Sequence, residues 1–150
     1  MAYRSLSDFI QALERADELL RVTEYVSPRL EITEIADRMV KNGGKAILFE
    51  NTGTEYPLLI NAMASDRRIC LALGVESLET IGDFMTSLFS ELTTPRHGWM
   101  DKLRLLPSLK DIASWFPTRK RQRGECQEVV MDPPDLGRLP VLTCWPFDGG

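Results

Sequence analysis

Between Leu30 and Asn51 the apolar positions follow two rhythms in immediate succession. Ile32, Ile35, Ala36, Met39 and Val40 recur at the i, i+3, i+4, i+7, i+8 spacing that gathers side chains on one face of a helix, while Glu31, Glu34, Asp37, Arg38 and Lys41 fall on the other face. The charge order agrees, with acids in the first turns, where the helix dipole is positive, and bases in the last. Asn42-Gly43-Gly44 then offers residues that tolerate the left-handed conformation of a helix end, and the uninterrupted run Ala46-Ile47-Leu48-Phe49 reads as a buried strand. A helix packed on the strand it feeds is the expected nucleus of an α/β fold.

The flanking pattern extends this unit. Ser7 is expected to cap a first helix in which Phe9, Ile10, Leu13, Ala16 and Leu20 keep helical spacing, with Leu6 as a staple. Arg21 to Val26 alternates and is rich in β-formers, so it reads as a strand ending at Ser27-Pro28. After the turn Thr52 to Pro57, Leu58 to Ala62 is short and apolar enough for a strand, which with the one around Ile47 reads as a hairpin or as neighbouring strands of one sheet. Ser65-Asp66 can cap a helix with Ile69, Ala72 and Leu73 inward and Gly74 at its end, and a further helix spans about Leu78 to Leu92.

Beyond Thr93 the prolines and glycines break the pattern into short helical pieces, Met100 to Leu106 and Leu109 to Trp115. Cys126 to Met131 and Pro140 to Trp145 read as strands, separated by a turn-rich link over Asp132 to Leu139. The expected organisation is an α/β (α+β) domain over 1–117, a basic linker over 118–124, and the start of a second domain over 125–150. A strand followed at once by Phe147-Asp148-Gly149-Gly150 wants a continuation, and the buried-type aromatic Trp145 argues against a native tail there.

Composition narrows the function classes. A net charge of −4 gives no global electrostatic case for nucleic acid, and no apolar run approaches the roughly 18 residues of a membrane helix. The opening MAYRSLSDF lacks the apolar core of a secretory signal, which makes the cytoplasm the expected compartment. The 3 cysteines, Cys70, Cys126 and Cys144, are far apart and form no C-x-x-C pair, so no disulfide framework or zinc knuckle is written here.

Candidate chemistry is sparse. His97 is the sole histidine and reads as a loop residue, since one imidazole with no mapped partner supports no mechanism. Cys144 beside Trp145 has no base nearby in sequence and reads as a buried structural cysteine. Gly43-Gly44-Lys45 looks like half a phosphate loop, but it follows a helix and precedes a strand, the reverse of the order in which amides cradle phosphate. Glu31, Glu34 and Asp37 lie on the polar helix face and read as solvated. The run Arg119, Lys120, Arg121, Arg123 is the one patch with electrostatic content; phosphate, an anionic lipid surface or a partner's acids could meet it, and a solvated linker is the plainer reading.

Four ordered strings carry a resemblance over nearly the whole chain: RVTEYVSPRL, LEITEIADRMVKNGGKAILFEN, PLLINAMASDRRICLALG and LPVLTCWPFDGG. Together they resemble the N-terminal region of the UbiD family of prenylated-flavin-dependent decarboxylases, whose namesake is the 3-polyprenyl-4-hydroxybenzoate carboxy-lyase of ubiquinone biosynthesis. The resemblance implies a longer, homo-oligomeric parent, cytoplasmic as the N-terminus suggests, with peripheral membrane contact an expectation of the docking alternative below. That parent is a lyase that removes CO2 non-oxidatively from an aromatic or α,β-unsaturated acid, in a ubiquinone or menaquinone route. It also implies prenylated FMN as the electron sink, with a divalent metal (Mn or Mg) and potassium at its phosphate, and a split-barrel-like flavin domain whose first strands are 125–150. The family's Asn, His and Glu metal ligands and its catalytic Arg and Glu lie beyond residue 150. No catalytic, cofactor-binding or metal-ligating residue is therefore assigned here, His97 included, and this segment is expected to bind no cofactor and to be inactive alone. The alternative is a non-catalytic module that docks on a partner or membrane through Arg119 to Arg123.

Overall fold

The structure, a computed structural model, describes residues 3–93, 110, 112–114, 116–117, 119 and 121–147. In chain order its elements are α1 (Leu6–Arg15), β1 (Leu19–Tyr25), α2 (Glu31–Lys41), β2 (Ala46–Asn51), β3 (Leu58–Ile60), α3 (Asp66–Leu73) and α4 (Leu78–Thr93), followed by two single-turn 3-10 helices, Glu125–Gln127 and Leu136–Arg138. Two compact units result, one made of Met1–Leu78 with Asp132–Gly150 and the other of Glu79–Met131.

Strand β2 organises the first unit. Its residues Ala46 to Phe49 are all buried, as the unbroken apolar run requires of a strand covered on both faces. It lies between β1, to which it is parallel, and β3, to which it is antiparallel, giving a mixed sheet of order β1-β2-β3. Parallel pairing needs a crossover, and α2 supplies it. Alternation along β2 sends Ala46 to a cluster with Phe9 and Leu13 of α1, and Ile47 and Phe49 to a cluster with Ile32 of α2. The fold class is therefore the expected small mixed sheet flanked by amphipathic helices.

The helix ends explain why these short elements stop where they do. After α2, Gly43 at φ 64° turns the chain so that the Gly44 N–H donates to the Met39 carbonyl (2.8 Å) and the Gly43 N–H to that of Val40 (2.9 Å), a Schellman closure. Asp17 (φ 57°) closes α1 in the same way through Glu18 N–H to Leu13, and Gly74 (φ 69°) closes α3 through Val75 N–H to Cys70. A Cβ at Gly44 would fall 2.1 Å from the Met39 sulfur and 3.0 Å from the Met39 carbonyl oxygen, so a larger residue there would have to displace the flexible Met39 side chain.

Several expectations are corrected. The cap of α1 is Ser5, whose hydroxyl accepts from the Asp8 N–H (3.2 Å), not Ser7; Leu6 is exposed, and Leu20 belongs to β1 because the Asp17 turn ends the helix first. On α2 only Ile32 and Ala36 are buried and Met39 half-buried, while Ile35 and Val40 are exposed, since the sheet covers a stripe narrower than the apolar pattern. Leu73 is likewise exposed, and Arg68 takes an inward place on α3. Cys126 to Met131 holds a 3-10 turn rather than a strand, and of Pro140 to Trp145 only Thr143 pairs, in a single parallel bridge with Arg29. The helical piece expected over Met100 to Leu106, and Gly149-Gly150, lie outside the described residues, whereas within the piece expected over Leu109 to Trp115 the described residues Lys110, Ile112, Ala113 and Ser114 are helical.

Candidate functional site

One open groove, about 670 Å³, runs along the outer face of α2. Helical spacing places Thr33, Glu34, Asp37 and Lys41 on one wall, and Cys144, Trp145 and Pro146 form the other, with Leu30 at the end. The chain arrives opposite α2 because the Leu30 N–H donates to the Thr143 carbonyl (3.1 Å) and the Thr143 N–H donates to that of Pro28 (3.2 Å). Trp145 is 71% exposed and Cys144 is exposed, so the buried positions expected of both are corrected: a segment joined by one bridge residue has no second layer to cover it.

The groove's charges are already paired. Glu34 accepts from Arg38 and Asp37 from Lys41, each at 2.6 Å in i,i+4 geometry, and the Glu31 carboxylate accepts the Ser27 N–H (2.8 Å) ahead of the helix. Exposed and neutralised carboxylates of this kind give an amphipathic surface, with an indole and a proline facing ion pairs, rather than an acid–base pair. None of the described residues that line the groove with Cys144 is a histidine, and His97 lies outside the described residues. Among the described residues no three His, Cys, Asp or Glu side chains gather where they could hold a metal ion.

A flavin phosphate needs free amides or converging cations. The Gly43 and Gly44 amides are spent on the carbonyls of Val40 and Met39, at the negative end of α2, and Lys45 is tied to Asp17. These residues do not fit the phosphate of a flavin nucleotide. Arg119, Arg121 and Arg123 of the basic run are exposed; Lys120 lies outside the described residues.

One cluster escaped the sequence reading. Arg68, 2% exposed, donates from Nη1 to Glu18 (2.8 Å) and to the Gly44 carbonyl (3.1 Å), and its Nε is buried with no partner among the described residues. Arg67 also reaches Glu18 (3.2 Å) and the Ala16 carbonyl (2.8 Å). Glu18 thus joins the end of α1, the turn before β2 and the start of α3. The available signal was Arg67-Arg68 inside the first turn of a helix, where the dipole disfavours cations unless an acid meets them. Exposed ion pairs surround this frame. The Arg21 guanidinium beside Glu14, Lys45 beside Asp17 and Arg138 beside Glu55 each hold the carboxyl below its ordinary range, so these pairs keep their charges at neutral pH and lose them as acid protonates the carboxylates.

Residues 10–88 match the family described as the 3-octaprenyl-4-hydroxybenzoate carboxy-lyase N-terminal domain. The chain belongs to that family, a family of decarboxylases. Among its relatives is an uncharacterised protein of Archaeoglobus fulgidus, 46% identical over 151 residues that take in 100% of this chain and 30% of the relative. Another, from Aquifex aeolicus, is 45% identical over 152 residues, 99% of this chain and 31% of the relative. The chain thus spans about 30% of the length of the curated relatives it matches. The solved vanillic acid decarboxylase of Sedimentibacter hydroxybenzoicus, in its open form, aligns at 26% identity and a TM-score of 0.49 over 61% of this chain and 20% of that one. No helix among the described residues is long and apolar enough to cross a membrane.

Proposed function

We propose that this chain is the N-terminal region of a cytoplasmic, homo-oligomeric, non-oxidative decarboxylase acting on an aromatic or α,β-unsaturated acid of the polyprenyl-hydroxybenzoate kind. In this reading prenylated FMN, its divalent metal and potassium are held outside these 150 residues, and the segment alone has no activity. The observation that carries it is the match of residues 10–88 to the N-terminal domain of a carboxy-lyase family. Support comes also from the site: paired groove carboxylates and consumed glycine amides leave these residues a framework role. An exchange experiment tests it. Substituting this chain for the corresponding third of the Aquifex aeolicus relative is expected to preserve flavin loading and CO2 release from a panel of hydroxybenzoates. A folded chimera that loads no flavin, or flavin-dependent CO2 release by the 150-residue chain alone, would sink the reading.

A second reading has its own observation, the exposure of Arg119, Arg121 and Arg123. Charges packed this closely attract anionic surfaces at about 1 kcal/mol per base. Docking through them predicts that the chain pellets with phosphatidylglycerol vesicles at low salt, and that replacing the four basic residues by serine abolishes pelleting. Equal pelleting of the two rules it out.

A further inference from the structure

We propose that residues 138–146 form a latch on the α/β unit, a strap that opens and closes without unfolding the sheet beneath it and that, when closed, builds one wall of the groove along α2. The strap has three separate fastenings. Leu142, half-buried, packs on the Ile32, Ile47 and Phe49 cluster. Thr143 makes the two main-chain bonds to Pro28 and Leu30, with the Thr33 hydroxyl 3.4 Å from its carbonyl. Arg138 pairs with Glu55 in the β2–β3 loop, its Nε donating at 3.0 Å. Among the described residues little else holds the segment down: Leu139, Val141, Cys144 and Trp145 are exposed. A stretch with one core anchor and few buried contacts belongs to the part of a protein that opens locally, well below the cost of global unfolding.

The backbone beneath the strap is strained in the closed state. Leu30 stands at φ 70°, ψ −33°, in a three-residue turn in which the Glu31 N–H donates to the Arg29 carbonyl (3.0 Å). A leucine rarely adopts that conformation, and it persists only when its surroundings impose it. The Thr143 carbonyl is one of the groups that impose it, because it fixes the Leu30 N–H. Opening the strap therefore frees Leu30 to relax and removes Cys144, Trp145 and Pro146 from the groove at once, so the groove exists only while the latch is shut.

Amide exchange followed by NMR on the full 150-residue chain tests the latch. The Leu30 and Thr143 amides are expected to exchange together, at least about tenfold faster than those of the central strand β2. Arg138→Glu should speed both about three- to fivefold, the scale an exposed ion pair carries, and the swap Arg138→Glu with Glu55→Arg should restore them. Leu142→Ala, which removes the anchor, should speed both more than about tenfold, again with β2 unchanged. Exchange of Leu30 and Thr143 at the β2 rate in the native chain would overturn the proposal, as would two amides that respond separately or do not respond to Arg138→Glu.

Discussion

Phe49→Ala is expected to cost about 3–5 kcal/mol, a large share of the stability of a domain this size. Phe49 is wholly buried at the centre of the sheet, on the face where Ile32 and Ile47 meet it and Val22, Val26 and Leu58 close around it. Both neighbouring strands pin the backbone there, through Val22 on β1 and Leu58 on β3, so the void left by the ring has little room to collapse. Urea unfolding at neutral pH checks this through the midpoint at constant slope. A loss under about 1 kcal/mol would mean that β2 is not the core strand.

The second large effect is electrostatic. Glu18→Ala should cost about 3–5 kcal/mol, because it leaves the Arg68 guanidinium inside the protein with the Gly44 carbonyl as its one remaining partner among the described residues. The control is the double change Glu18→Leu with Arg68→Met. Removing both charges should recover most of the loss, since a buried pair is costly to break but adds little over an apolar pair of similar size. Arg67→Ala should move stability by less than about 1 kcal/mol, because that side chain is 68% exposed and its bond to Glu18 competes with water. A double variant as unstable as the single one would show that the cluster holds the fold by geometry rather than by charge.

The two cases mark what the sequence discloses. Phe49 and its strand were legible because four consecutive apolar residues after a Gly-Gly helix end carry their whole signal locally. The acids of α2 were legible as a polar face for the same reason, and their i,i+4 partners are written in the spacing. Arg68 was not legible: nothing in Asp66-Arg67-Arg68 says that Glu18, 50 residues away, will reach it. Ile35 and Val40 were misplaced because periodicity gives the width of an apolar stripe, and the neighbouring sheet decides how much of it is covered. Cys126 to Met131 has the composition of a strand, but a strand also needs a partner, which propensity does not contain. The groove was beyond reach of the sequence, since one of its walls is local to α2 and the other arrives from 110 residues later.

That long return has a consequence for how the gene can change. The first unit is discontinuous: the chain leaves it after Leu78 and comes back at Asp132. Topologically the intervening stretch is an excursion from a frame closed on either side of it. The entropy of closing such an excursion grows only with the logarithm of its length, about 0.6 kcal/mol for each doubling. Insertions and deletions between those two points are therefore nearly neutral for the sheet, whereas losing a single residue between Asp132 and Thr143 would pull the bridge to Arg29 out of register.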